Sequence, residues 1–282
     1  MVELLVSMGI TILIISMIVT ITSIALGAWR DSRNEIRASR QAKSLLDVLS
    51  KDLESMVVRS GNNYEWFNAK SEDVSSGNLS SSSVASLVFF TAATDRYDGN
   101  IGGAADEGGD VSTVGYLMKI QNPITGSDGG EFNTFAMYRQ LENPDTTFNS
   151  YLAKPNLPTV FGPIETTGEN FICENIYEIS IVFLVEYNDG TSIKQMRVPV
   201  LGSKGSGGNA VTEFSITGSG FTTLPAKPEL GNGRLLSADV SISVISDHGL
   251  GILRAAGAAA LADNFFAENS YRYSTTVRLP QP

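Results

Sequence analysis

Residues 4 to 29 contain no Asp, Glu, Lys or Arg. As a helix rising about 1.5 Å per residue, such a run spans roughly 39 Å, more than the ~30 Å of a bilayer's hydrocarbon core. No compact water-soluble fold of this length buries an element that is apolar on every side, except at the centre of a large core. The hydroxyls within the run (Ser7, Thr11, Ser16, Thr20, Thr22 and Ser23) are tolerated in lipid because they can bond back to the helix's own carbonyls. One acid, Glu3, stands at the tip of the run, and the next charge is Arg30. An ionised carboxylate at bilayer depth costs several kcal/mol, so Glu3 is expected to have a partner or a role. The attraction of an acid to a helix N-terminus is worth only about 0.3–1 kcal/mol and does not account for one that introduces a membrane span. A cleaved secretory signal is the competing reading, but it calls for a basic segment ahead of a shorter apolar core.

The helix is expected to continue past the membrane. Ala42, Leu45, Leu46, Leu49, Leu53, Met56 and Val57 recur at steps of three and four, and no Pro or Gly interrupts residues 28 to 60. Gly61-Asn62-Asn63 is a stop signal. The spacing predicts one helix of about 60 residues, apolar all round in its first half and amphipathic in its second. The chain thus divides into residues 1–29 (a membrane-length apolar helix), 30–60 (its amphipathic continuation) and 61–282 (a β-rich globular part).

Val2-Glu3-Leu4-Leu5-Val6 resembles the start of the mature helix in the type IV pilin and type II secretion pseudopilin superfamily. The resemblance covers about the first thirty residues. It implies a single-pass protein of the bacterial inner membrane, with its C-terminal domain in the periplasm or at the cell exterior. A prepilin peptidase would act on an upstream basic leader and methylate the new terminus. The partners would be other pilin or pseudopilin subunits, and Glu3 would pair with a neighbouring subunit's terminal amine. Met1 stands where the family has Leu, so the expectation is a start placed too late or a trimmed chain. The C-terminal part is similar to large J-type minor pseudopilins through Phe183–Gly190, Ala238–Ser246 and Gly249–Arg254. The segment Asn269–Arg278 is similar to pilin-like proteins of Verru_Chthon cassettes.

Charge divides along the chain. Residues 30–60 hold seven Lys/Arg and five Asp/Glu, whereas residues 61–282 hold 13 and 24, a net charge of −11. So acidic a surface argues against nucleic acid as a partner. Arg30, Arg33, Arg37, Arg40 and Lys43 follow the apolar run directly and read as headgroup contacts. Taken alone they would keep that flank cytoplasmic. The pilin resemblance implies the reverse, and a basic leader would restore the usual bias.

Beyond Gly61 the expected fold class is α+β: the long helix packed on an antiparallel β-sheet. Strands are expected at Val84–Thr91, Val114–Ile120, Phe132–Leu141, Leu235–Ser246 and Tyr271–Leu279. The clearest hairpin joins Ile179–Tyr187 to Ser192–Val200 through Asn188-Asp189-Gly190. Ser71–Ser83, Asp95–Asp110 and Gly202–Asn209 read as loops, residues 201–234 as an insertion, and Leu250–Glu268 as an Ala-rich helix weakened by Gly257.

No enzymatic constellation is expected. His248 is the lone histidine and reads as a turn residue after a strand. No Gly-x-Ser-x-Gly elbow or P-loop order is present. The single cysteine, Cys173, can form no intramolecular disulfide and reads as a small buried hydrophobe. Asp95, Asp98, Asp106 and Asp110 share a Gly-rich loop with the oxygen chemistry of a Ca²⁺ site but without EF-hand spacing. Solvation of that loop is the plainer account. The function that the pilin resemblance implies is structural: a subunit, and a minor one, of a type IV pilus-like or type II secretion pseudopilus filament. The alternative is a signal-anchored exported binding domain that does not polymerise.

Overall fold

The computed structural model describes residues 2–93, 109–128, 132–201, 208–257, 261 and 264–280. Helix α1 runs from Val2 to Glu54 without interruption, 53 residues or roughly 80 Å. It ends six residues before the expected stop. Ser55 closes it: its N–H and its hydroxyl both donate to the Lys51 carbonyl, at 3.1 and 2.8 Å. The chain then leaves in an extended conformation, which suits the β-branched pair Val57-Val58. Met56 bridges to Thr91, and the Val57 N–H donates to the Phe90 carbonyl at 2.9 Å.

The remainder is α+β, as expected. Its strands are β1 (Glu65–Ser76), β2 (Leu79–Thr91), β3 (Ser112–Gln121), β4 (Thr134–Glu142), β5 (Phe171–Glu174), β6 (Ile176–Asn188), β7 (Ile193–Val200), β8 (Glu213–Thr217), β9 (Gly220–Leu224), β10 (Arg234–Ile245) and β11 (Ser270–Arg278). The short helices are α2 (Pro144–Ser150), α3 (Leu157–Phe161), α4 (Asp247–Ala256) and α5 (Phe265–Asn269). The main strand order is β11-β10-β6-β2-β1-β8-β9; β3, β4 and β5 branch from β2, and β7 pairs with β6. Among the described residues the named strands pair antiparallel except for one parallel bridge between β2 and β6, and Val200 makes an isolated parallel bridge to Val211.

The β6–β7 hairpin forms as its alternation predicts, with Ile179, Ile181, Phe183 and Val185 all fully buried. Against it, β10 sets Ile242, Val240 and Ala238 opposite Ile179, Ile181 and Phe183. Phe183 stacks on Phe214 with ring centroids 4.7 Å apart and meets Phe67 edge-on at 5.4 Å. These rings join β1, β6 and β8 in one core, the geometry aromatic pairs prefer.

Three segments differ from expectation. Ser71–Ser83 is not a loop: it forms the outer half of the β1–β2 hairpin, closed by a two-residue Gly77-Asn78 turn with Gly77 at φ +59°. The serines pair as backbone, and the turn residues carry the hairpin. Residues 201–234 hold two strands that the sequence did not predict, β8 and β9, which extend the sheet beyond β1. The Ala-rich helix is cut at Gly257, whose φ of +74° ends α4; the Phe265–Asn269 turn of helix comes later. His248 accordingly lies in the first turn of α4 and not in a turn between elements.

The second half of α1 lies across β11, β10 and β5. Ala38, Ala42, Leu45, Leu49 and Leu53 form its buried face. Small residues come first, where the helix meets β11, and leucines follow. That stripe is what the amphipathic spacing predicts, and burying each Leu contributes about 1.5–3 kcal/mol.

Candidate functional site

The exposed half of α1 is the candidate site. Ala38 is its first buried residue. From Val6 to Trp29 its large apolar side chains are all exposed, including Ile10 at 54 %, Leu13 at 59 %, Ile18 at 57 % and Ile24 at 67 %. None of them is buried against the domain. It is one helix long and apolar enough to cross a membrane, with a mean hydropathy of 2.4 in its apolar window. The hydroxyls behave as lipid requires: Thr11 donates to the Ser7 carbonyl at 2.8 Å and Thr20 to that of Ser16 at 2.9 Å. Glu3 is exposed in the first turn.

Besides its buried apolar stripe, α1 is tied to the domain at two polar junctions. At the far end Asp52 is 1 % exposed, and Arg139 of β4 grips it with both arms of its guanidinium. Nε donates to Oδ2 at 2.7 Å and Nη2 to Oδ1 at 3.0 Å. The buried Tyr116 hydroxyl of β3 donates to the same Oδ2. Burial, and then the Asp52 charge, push the Tyr116 phenol well above its ordinary range. The Asp52 carbonyl also accepts from Thr91 at 3.2 Å. This cluster escaped the sequence reading, although its signal was present: Asp52 interrupts the apolar stripe between Leu49 and Leu53, and Arg139 shares a strand face with Phe135 and Met137. At the near end Arg37 reaches Glu174 of β5 at 2.7 Å and also Asp247 of α4. Asn175, at φ +66°, ties this junction together by donating to Asp247 at 2.9 Å and accepting from Thr134 at 2.7 Å.

The other residues singled out by sequence are not brought together. Asp95, Asp98 and Asp106 lie outside the described residues, while Asp110 is exposed. Among the described residues no three His, Cys, Asp or Glu side chains are placed to hold a metal ion. His248 is exposed. Its neighbours are engaged elsewhere: the Ser246 hydroxyl caps α4 by accepting from the Gly249 N–H at 3.1 Å, and Asp247 faces Arg37 and Asn175. Cys173 is 1 % exposed, and burial pushes its thiol up to about 12. A cleft of about 540 Å³ opens beside the Arg37 junction, with Ile124 and Phe132 at its rim; neither His248 nor Cys173 lines it. No protein-family model, curated protein or solved structure matches the chain.

Proposed function

We propose that this chain is a subunit, and a minor one, of a type IV pilus-like or type II secretion pseudopilus filament. It is held in the bacterial inner membrane by the first half of α1 and assembles through that same half. The carrying observation is the mechanical division of a single helix. Residues 6–29, roughly 36 Å of helix, carry exposed apolar side chains on all sides, while the far end of the same helix is clamped by a buried ion pair. Such a rod is stable only in lipid or among other apolar helices, and a rigid link passes any pull on the rod directly to the domain. Glu3 supplies the register. An unpaired carboxylate at bilayer depth costs about 3 kcal/mol, a cost relieved when the subunit meets a cationic partner on a neighbour. By the N-terminal resemblance to pilins, that partner would be a neighbouring subunit's terminal amine.

The test is Glu3→Leu, expressed in the source cell. The variant is expected to fractionate with membranes as the parent does and to be missing from sheared fibres. Normal fibres from the variant would refute the assembly role of Glu3. Permanent membrane retention of the parent chain itself, with no fibres at all, would favour a signal-anchored binding domain instead.

A further inference from the structure

Of the five cations that follow the apolar run, only Arg37 is drawn into the domain, by Glu174 and Asp247. Arg30, Arg40 and Lys43 are exposed and form no ion pair among the described residues. The Arg33 guanidinium lies 5.6 Å from the ring centroid of Trp29, itself 60 % exposed. At about 100° per residue Arg33, Arg40 and Lys43 lie on the helix face opposite the buried stripe, and Arg30 lies on its flank. Asp31 and Glu35 fall on the sheet-facing side, within electrostatic reach of Tyr271 on β11. Height decides which cations matter. If Trp29 marks the edge of the hydrocarbon core, Arg30 and Arg33 stand about 1.5 and 6 Å above it, inside a headgroup layer of about 5–8 Å. Arg40 and Lys43 stand about 16 and 21 Å above it, and Ala38, where the domain begins, about 13 Å. A potential that decays over about 8 Å has largely faded there.

We propose that Trp29, Arg30 and Arg33 form a one-sided docking site for anionic phospholipid headgroups of the bilayer that holds α1. The site seats the neck at a set depth and keeps the acidic domain clear of an anionic surface. It rests on the membrane reading of α1, with which it is continuous. Sign segregation and continuity with the apolar run favour lipid over the acidic domain of a second copy. A second copy would engage the whole outward stripe, Arg40 and Lys43 included.

The test reconstitutes the full chain in vesicles, confirms insertion by flotation, and reads Trp29 fluorescence. Brominated phosphatidylglycerol is compared with brominated phosphatidylcholine as quencher at equal mole fraction. Trp66, 3 % exposed inside the domain, provides a constant background. Quenching by the anionic lipid is expected at several-fold lower mole fraction, with about five-fold for each cation in the layer as the upper bound. Arg30→Gln with Arg33→Gln should abolish the preference, and Arg40→Gln with Lys43→Gln should retain most of it. Equal quenching by the two lipids would overturn the proposal. So would equal losses from the two double variants, or an Arg30/Arg33 effect seen only as lost self-association. A chain that inserts without preferring anionic lipid refutes the docking site alone, whereas one that does not float refutes the membrane reading beneath it.

Discussion

Replacing Asp52 by Ala should be among the most destabilising single changes available to this chain. Asp52, Tyr116 and Arg139 are 1, 0 and 2 % exposed, so solvent cannot replace what is removed. The guanidinium cannot shed its charge, and removing the carboxylate that it grips with both arms breaks a buried ion pair at a cost of about 3–5 kcal/mol. The Tyr116 hydroxyl loses its acceptor at the same time, which adds about 1–3 kcal/mol where no other partner is in reach. A domain of this kind is stable by only about 5–15 kcal/mol in total, so the variant should be barely folded. Asp52→Asn keeps one acceptor oxygen and should fall at the lower end. The decisive variant removes all three polar groups together, as Asp52→Leu, Tyr116→Phe and Arg139→Met. It abolishes the penalty along with the pair and should recover most of the lost stability. Urea unfolding of the full chain in mild detergent, followed by Trp66 fluorescence, measures each. A loss below about 1 kcal/mol for Asp52→Ala, or a triple variant no more stable than that single one, would refute the account of the cluster as a buried clamp.

Cys173 should resist thiol-labelling reagents at pH 8 in the folded chain and react at once in denaturant; rapid labelling under native conditions would contradict a burial that pushes the thiol to about 12. Tyr116 has a folded-state value raised above the ordinary 10, so its contribution is complete below pH 10 and is lost as pH rises toward the folded value. Tyr116→Phe should therefore flatten the alkaline side of the stability–pH curve, as read by urea midpoints at stepped pH. Gly220 holds φ +145° with its hydrogen facing the Gly231 carbonyl, which an added Cβ would approach to 1.9 Å. Gly220→Ala should lower the urea midpoint markedly through strain of about 1–3 kcal/mol plus that clash, and an unchanged midpoint would show that the β9 edge is freer than it stands here.

Elements that depend on local pattern were legible from the chain. The Ile179–Val185 alternation, the Asn188-Asp189-Gly190 turn and the Ala42–Leu53 stripe each name their own partner surface, because periodicity reports which side faces apolar material. Where polar composition masked a turn signal, legibility failed. Ser71–Ser83 looks like a loop by residue type, yet Gly77-Asn78 places two serine-rich arms in register, and backbone pairing does not require apolar side chains. The end of α1 was misplaced for a related reason. Met56 and Val57 suit a helix stripe by position, but the end of β2 offers them backbone partners that only the fold brings near.

By itself, the sequence determined that this chain carries an apolar rod with one acid at its tip and a cluster of cations at its base. Those properties belong to single residues and their spacing, and lipid responds to them whatever the domain does. Only the tertiary structure decided how the rod is held. Asp52 and Arg139 lie 87 residues apart and Arg37 and Asp247 lie 210 apart, and no local pattern couples residues at such separations. A buried charge is tolerated only where the fold delivers its counter-charge, so the clamp on α1 exists only once the sheet has formed.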